Sequence, residues 1–101
     1  MDPAAYAVQR EYQWRFIKGM SAEVFVALWD KQQGKCAVCR AELLFVQRDV
    51  GVVVDHSHAS GHVRGLLCQG CNKGLGYFQD NENLLLAAIE YLRNPPIKPV
   101  P

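Results

Sequence analysis

The sequence lacks any run of apolar residues long enough to cross a membrane, and its first ten residues lack the apolar core of a secretory signal. We therefore expect no membrane association and a reducing compartment. The net charge is only +1, so bulk positive charge cannot drive binding to nucleic acid. Such binding would need a local basic patch or a bound cation.

The length of 101 residues leaves little room for a second core, so one compact domain is predicted. Hydrophobic residues make up 50% of the chain and charged residues 21%, which is typical of a globular protein. A domain of this size buries a limited core, and a metal site is a common supplement.

Helical spacing of apolar residues marks both ends of the chain. It predicts one helix over about residues 4–16, and a second that is capped by Ser21 and ends near residue 33, before Gly34. A last helix is predicted over about residues 82–93, before a proline-rich tail at 95–101.

The middle of the chain carries short apolar runs that predict strands at residues 43–46, 50–54 and 63–67, with a turn at Arg48-Asp49. A helix should follow from Cys68 to about Tyr77. We therefore predict a small α+β domain over residues 1–94, in which helices flank a core at about 36–78.

Four cysteines form two identical half-sites, Cys36-x2-Cys39 and Cys68-x2-Cys71, separated by 28 residues. Two such pairs can complete the tetrahedral coordination of one zinc ion, and a closed sphere of four thiolates is typical of structural zinc. The alternatives are four unrelated buried thiols, or a redox-active pair, which would leave the second pair unexplained.

The polar run Asp55-His56-Ser57-His58 lies between the two cysteine pairs, and Asn72 directly follows the last cysteine. Carboxylate and amide oxygens suit a hard cation such as Mg²⁺, and a neutral histidine suits a general base. The alternative is a solvated polar turn. Adjacent residues on a regular strand point to opposite faces, so we expect the strand to end or bulge at Asp55 and His56.

These residues resemble a known family of nucleases. The resemblance covers about residues 20–93 and is to the recombination endonuclease VII family of phages, which belongs to the His-Me finger (HNH) nucleases. The matching runs are Gly34 to Cys39, Val54 to His58, Gly61 to Cys68 and Cys71 to Gly76. Some relatives carry an acid three residues after the asparagine, where this chain has Leu75.

The resemblance implies a ββα-metal core in which Asp55 and Asn72 bind a catalytic Mg²⁺ or Mn²⁺ ion. His56 would remove a proton from the attacking water, with His58 close to the site.

Two basic residues near the motif, Arg64 and Lys73, would bind the substrate. For Arg64, a salt bridge within the hairpin is an equal alternative. His62 matches no catalytic position and is interpreted as a solvated loop residue.

The predicted function is a metal-dependent DNA endonuclease that nicks or cuts both strands. A Holliday-junction resolvase of the same family and a non-catalytic zinc module that binds DNA or protein are the alternatives. A resolvase would be a homodimer, with the first two helices as the contact unless their apolar faces form the core. Trp14 and Trp29 are predicted to lie in the core rather than to stack on bases. A phage protein would act in the cytoplasm of its bacterial host.

Overall fold

The computed structural model describes residues 2–45 and 51–97. The elements in chain order are α1 (Pro3–Arg10), a 3₁₀ turn (Glu11–Trp14), α2 (Ala22–Gln32), β1 (Val53–His56), β2 (Val63–Leu67), α3 (Gln69–Tyr77) and α4 (Glu82–Arg93). This confirms the α+β class and the bounds predicted for the returning strand and the last helix. Within the described ranges, no helix has the length and apolar character needed to cross a membrane.

The first helix is shorter than its apolar spacing predicts. Asp2 caps α1 by accepting a hydrogen bond from the Ala5 N–H at 2.8 Å, but the α-helix ends at Arg10 and a 3₁₀ turn continues to Trp14. A 3₁₀ turn has three residues per turn, so it rotates residue 14 relative to an α-helix. The Trp14 ring stacks on Phe25 with its centroid 5.2 Å away.

Aromatic rings form the centre of the core. Phe25 on α2 is fully buried, and four aromatic rings surround it at centroid distances of 5.2 to 6.4 Å. These are the rings of Tyr6, Trp14, Trp29 and Phe45. The prediction that both tryptophans belong to the core is confirmed, and apolar residues of α1 and α2 pack in the same core.

Within residues 2–45 and 51–97, the sheet is an antiparallel hairpin of β1 and β2. The strand expected at residues 43–46 is not formed by Leu43 to Phe45. Instead, Leu43 is buried in the core and the Phe45 ring stacks on Tyr6 at 4.6 Å. Val46, Val50 and the turn predicted at Arg48-Asp49 lie outside the described residues.

The segment before α2 runs beside the loop between β1 and β2. The Lys18 N–H donates to the Gly61 carbonyl, and the Lys18 carbonyl accepts from the Val63 N–H, each at 2.9 Å. Gly19 follows with φ +76°, and a Cβ there would lie 2.5 Å from the His62 ring. A glycine is therefore required where the N-terminal segment meets this loop.

Helix α4 has no buried residue, and the same is true of α3. Asn81 caps it by accepting from the Leu84 N–H at 3.1 Å. Leu85 and Ala88 are half-buried, whereas several larger apolar residues are exposed: Leu84, Leu86, Ile89, Tyr91 and Leu92.

A buried glutamine joins α2 to the hairpin. Gln32 Nε2 donates to the carbonyls of Lys35 and Leu66 at 2.8 and 2.9 Å, and its Oε1 accepts from the Leu66 N–H at 3.0 Å. Since Gln32 and Leu66 are both buried, water cannot easily replace these partners.

We expect Gln32→Ala to lower the free energy of unfolding by about 3 kcal/mol, because it leaves the buried Leu66 N–H without a partner and opens a cavity. Urea denaturation followed by tryptophan fluorescence measures the change. Lys31→Ala, at the exposed neighbouring position, is the control and should change stability by less than about 0.5 kcal/mol. An equal effect of both variants would contradict this role of Gln32.

Candidate metal centre and active site

The four cysteines lie together. Their sulfur atoms are all within 4.8 Å of one another, and the sulfurs of Cys39 and Cys68 are 3.8 Å apart. None of them forms a disulfide. The interpretation of four unrelated thiols is therefore wrong. Such a group could hold a metal ion, and four sulfur donors at this spacing fit zinc.

Backbone hydrogen bonds bring the two half-sites together. The Cys36 N–H donates to the Ala41 carbonyl at 2.8 Å, which closes the first half-site into a tight turn. The Ala37 N–H donates to the Leu66 carbonyl at 3.1 Å, which attaches this turn to β2. Cys68 ends the hairpin and caps α3, because its sulfur accepts from the Cys71 N–H at 3.4 Å.

The thiols of the cluster differ in acidity. Burial opposes ionisation of Cys36, but backbone N–H groups of Cys39, Cys68 and Val38 outweigh it and lower the pKa of Cys36 to about 6. Burial and the surrounding sulfurs raise the pKa of Cys71 to about 12. The cluster thus accepts one negative charge readily and resists further ones. A cation is the natural partner for four thiolates in this arrangement.

The hairpin is irregular where the sequence predicts it. Asp55 pairs with Gly65, but His56 pairs with Val63, so the register shifts between Asp55 and His56. This confirms the expected bulge. The irregularity frees the two adjacent residues from the strict alternation of a regular strand.

A pocket of 410 Å³ lies between the hairpin, α3 and the turn after α3. Its lining includes Asp55, His58, Asn72, Lys73 and Asp80. Four of the predicted site residues therefore surround one space.

His56 is not part of the pocket lining. Its half-buried ring lies parallel to the His58 ring, with an interplanar angle of 4° and centroids 5.6 Å apart. Of the two histidines, His58 is the one that borders the pocket directly.

Arg64 forms a salt bridge across the hairpin. Its Nε and Nη2 donate to the two oxygens of Asp55 at 2.7 and 3.1 Å, and Nη2 also approaches Asp80 at 3.4 Å. These bonds, chiefly the one with Asp55, raise the pKa of Arg64 despite partial burial. The structure thus adopts the salt bridge that the sequence left as one alternative for Arg64.

Asp80 lines the pocket although the sequence does not single it out as a site residue. It lies before the last helix, in the turn between α3 and α4, where Gln79 and Asp80 both have left-handed backbones, with φ of 59° and 52°. Aspartate adopts this conformation more readily than most residues. The only signal in the sequence is a short polar run before Asn81.

Comparisons with known proteins place the chain in context. The family model described as recombination endonuclease VII matches residues 7–94. The Gene 59 protein of Mycobacterium phage D29 is 43% identical over 79 residues, and that of Mycobacterium phage L5 is 39% identical over 79 residues. Each alignment covers 77% of this chain but 46% of the relative, so the chain spans less than half the length of either. No solved structure matches.

We expect one thiolate-bound metal ion per chain, measured by elemental analysis and by the absorbance of a Co²⁺-substituted sample. A closed structural site contributes on the order of 10 kcal/mol to folding, so Cys39→Ser should release the metal and unfold much of the protein. Cys39→His is the matched control, since imidazole is also a zinc ligand and should preserve much of the fold. A folded, metal-free Cys39→Ser protein would contradict the assignment.

Proposed function

Because the chain belongs to the recombination endonuclease VII family, we propose that it is a metal-dependent endonuclease that hydrolyses DNA phosphodiester bonds. The observation that carries this proposal is the bulge at Asp55. This residue lies near two histidines and lines the same pocket as Asn72. The order of hairpin, bulge and helix supports a ββα arrangement of the His-Me finger type.

The oxygen atoms in the pocket fit a hard divalent cation. Asp55 and Asn72 would hold Mg²⁺ or Mn²⁺ there. The hydrogen bonds from Arg64 to Asp55 do not prevent metal binding, because each carboxylate oxygen has a second lone pair. Arg64 also orients the Asp55 carboxylate, as outer-shell partners of metal ligands do. A bound cation would stabilise negative charge on the phosphate and on the departing 3′-oxygen.

His56 would act as the general base. An ordinary imidazole is largely unprotonated at neutral pH and can accept a proton from water. The His56 ring makes no hydrogen bond to the part of the chain that the structure describes, so no such residue occupies its nitrogens. His58, which stacks on this ring and also lines the pocket, would hold the orientation of His56.

Lys73 and Arg64 would contact the phosphate backbone. Lys73 is exposed at the pocket edge, and the Nη1 group of Arg64 makes no bond to the described residues. Arg64 could therefore bind a phosphate while Nε and Nη2 hold Asp55.

Zinc bound by the four cysteines would have a structural role. With four thiolates its coordination is complete, so no position is open for substrate. Since Cys68 directly follows β2 and Asn72 follows Cys71 on α3, the ion would fix the distance between the hairpin and the Asn72 side chain. An error of about 1 Å in such positions can cost roughly 10²-fold in rate.

A junction resolvase is the second candidate within this family. A resolvase needs two active sites on paired strands, and the exposed apolar residues of α4, such as Leu86 and Leu92, could form the contact of a homodimer. Cleavage of four-way junctions compared with linear duplex, together with the mass in solution, separates this candidate from a simple nicking enzyme. The phage relatives support action in the cytoplasm of an infected bacterium.

We expect His56→Ala to retain its fold and its thiolate-bound metal but to lose about 10²–10⁴-fold of the cleavage rate, which is the usual contribution of a general base. Plasmid nicking with Mg²⁺ or Mn²⁺ measures this. His62→Ala, on the exposed loop, is the control and should cleave at a rate close to that of the wild type. If His58→Ala loses more activity than His56→Ala, the base is His58 instead.

We also expect cleavage to stop when the hard cation is removed and to return when Mg²⁺ is added, because the oxygen site exchanges its ion faster than the thiolate site does. Asn72→Ala should raise the Mn²⁺ concentration needed for half-maximal cleavage by about 10-fold or more. Its control is Asn83→Ala on the exposed surface of α4. Cleavage without any divalent ion would exclude this mechanism, and failure to cleave any DNA would favour a non-catalytic zinc module.

A further inference from the structure

Two aromatic side chains of the segment before α2 point into solvent. Phe16 is 82% exposed and Tyr12 is 64% exposed, whereas Trp14 between them is 7% exposed. The core therefore includes the Trp14 ring, whereas the rings of Tyr12 and Phe16 stay exposed. These two rings, close together in the chain, give the segment an uncovered aromatic surface.

The same segment carries positive charge without partners. Both ion pairs found in residues 2–45 and 51–97 are made by Arg64, so Arg10, Arg15 and Lys18 are unpaired. The Arg15 guanidinium lies 4.7 Å above the Phe16 ring centroid, and its Nη1 donates to the Tyr12 carbonyl at 2.6 Å. The Glu11 carboxylate accepts from the Ala22 N–H at 2.7 Å and forms no ion pair with these cations.

This segment is attached to the hairpin that carries part of the candidate active site. Lys18 is hydrogen-bonded to Gly61, in the loop between β1 and β2, and to Val63, the first residue of β2. The same loop carries His58, which borders the pocket. A polyanion bound at the pocket could therefore extend along this loop to the segment.

We propose that residues 12–18, the aromatic–basic segment, bind unpaired nucleotides of the DNA on which this protein acts. The proposal rests on the proposed function and names a second contact surface for its substrate. Aromatic rings and guanidinium groups stack on the exposed faces of unpaired bases, and nearby cations neutralise the phosphates. Paired bases in a duplex are already stacked on each other and gain nothing from Phe16.

The chemistry of the segment favours DNA over a protein partner. A protein interface of this kind would bury Phe16 and Tyr12 in a continuous apolar surface. Here the rings are interrupted by Arg15 and Lys18, whose charges would be costly to bury without acidic partners. Alternation of rings and cations is the pattern of a single-strand binding surface.

The experiment measures binding of a fluorescein-labelled oligothymidylate about 15 nucleotides long, a length near the site size of known single-strand binding folds. Anisotropy is recorded without added Mg²⁺, so that no cleavage occurs. We expect Phe16→Ala to weaken binding by about 10-fold or more, and Phe16→Trp to retain it, because indole also stacks. Tyr91→Ala, which removes an exposed ring from α4, is the control and should bind like the wild type. Circular dichroism confirms that each variant is folded.

A blunt duplex of the same length separates stacking from charge. Phe16→Ala should change duplex affinity by less than about twofold, whereas Arg15→Gln should weaken binding to both DNAs and reduce its salt dependence. The proposal is overturned if Phe16→Ala binds the single strand like the wild type, or loses affinity equally for both DNAs. It is also overturned if Phe16→Ala changes only the mass in solution, which would indicate a protein contact.

The two proposals fail in different ways. If wild-type protein cleaves DNA with Mg²⁺ but shows no binding that depends on Phe16, the segment has another role and the nuclease stands. If binding depends on Phe16 but no DNA is cleaved under any metal condition, the segment is supported and the catalytic proposal is wrong.

Discussion

The convergence of four sulfur atoms is the constraint on which the candidate site depends. A domain of this size has a small core. Here that core is mostly the cluster of aromatic rings around Phe25, packed between α1 and α2. The hairpin and α3 have few large buried residues of their own. Cys68 serves as the last residue of the hairpin region, the cap of α3 and one member of the sulfur cluster. Because several thiolates so close together repel one another, the cluster reaches its full charge only with a cation. A metal ion bound by this cluster would help to fix Asn72, one residue after Cys71, in addition to the packing of Cys71 and Leu75 against the core.

The second constraint is local. A regular strand would direct Asp55 and His56 to opposite faces. The register shift between them breaks this rule at one peptide unit, and the salt bridge from Arg64 holds the Asp55 carboxylate on the pocket side. The Gln32 side chain on α2 also fixes β2, through its hydrogen bonds to the backbone of Leu66. The irregular position is thus supported from the opposite strand, and a bulge of this kind next to an active site is a common device for aiming side chains.

Much of this arrangement could be predicted from the sequence, because the patterns that indicate it involve residues close together in the chain. Paired cysteines, the apolar strand at 63–67 and the capped helix at 82–93 each depend on neighbouring residues, and all three are confirmed. The bulge was expected because two adjacent residues of a regular strand cannot both face one site. What could not be predicted depends on contacts between distant parts of the chain. The early end of α1 is set by the packing of Trp14 on Phe25, and the place of Asp80 is set by a left-handed turn. The burial of Gln32 is set by the backbone of Leu66, a strand 34 residues away.

The distribution of charge around the pocket shows why a chain with a net charge of +1 can still suit a polyanionic substrate. The carboxylates of Asp55 and Asp80 are drawn inward and share one guanidinium, so little negative charge faces the surface. Lys73 and the cations of the aromatic–basic segment face outward without acidic partners among the described residues. A divalent cation would therefore meet oxygen ligands inside the pocket, while a phosphate backbone would meet positive charge at its rim. Net charge averages the negative groups inside the pocket with the positive groups at its rim. The affinity of such a surface for DNA depends instead on local charges within about one Debye length of the phosphates, so net charge underestimates it.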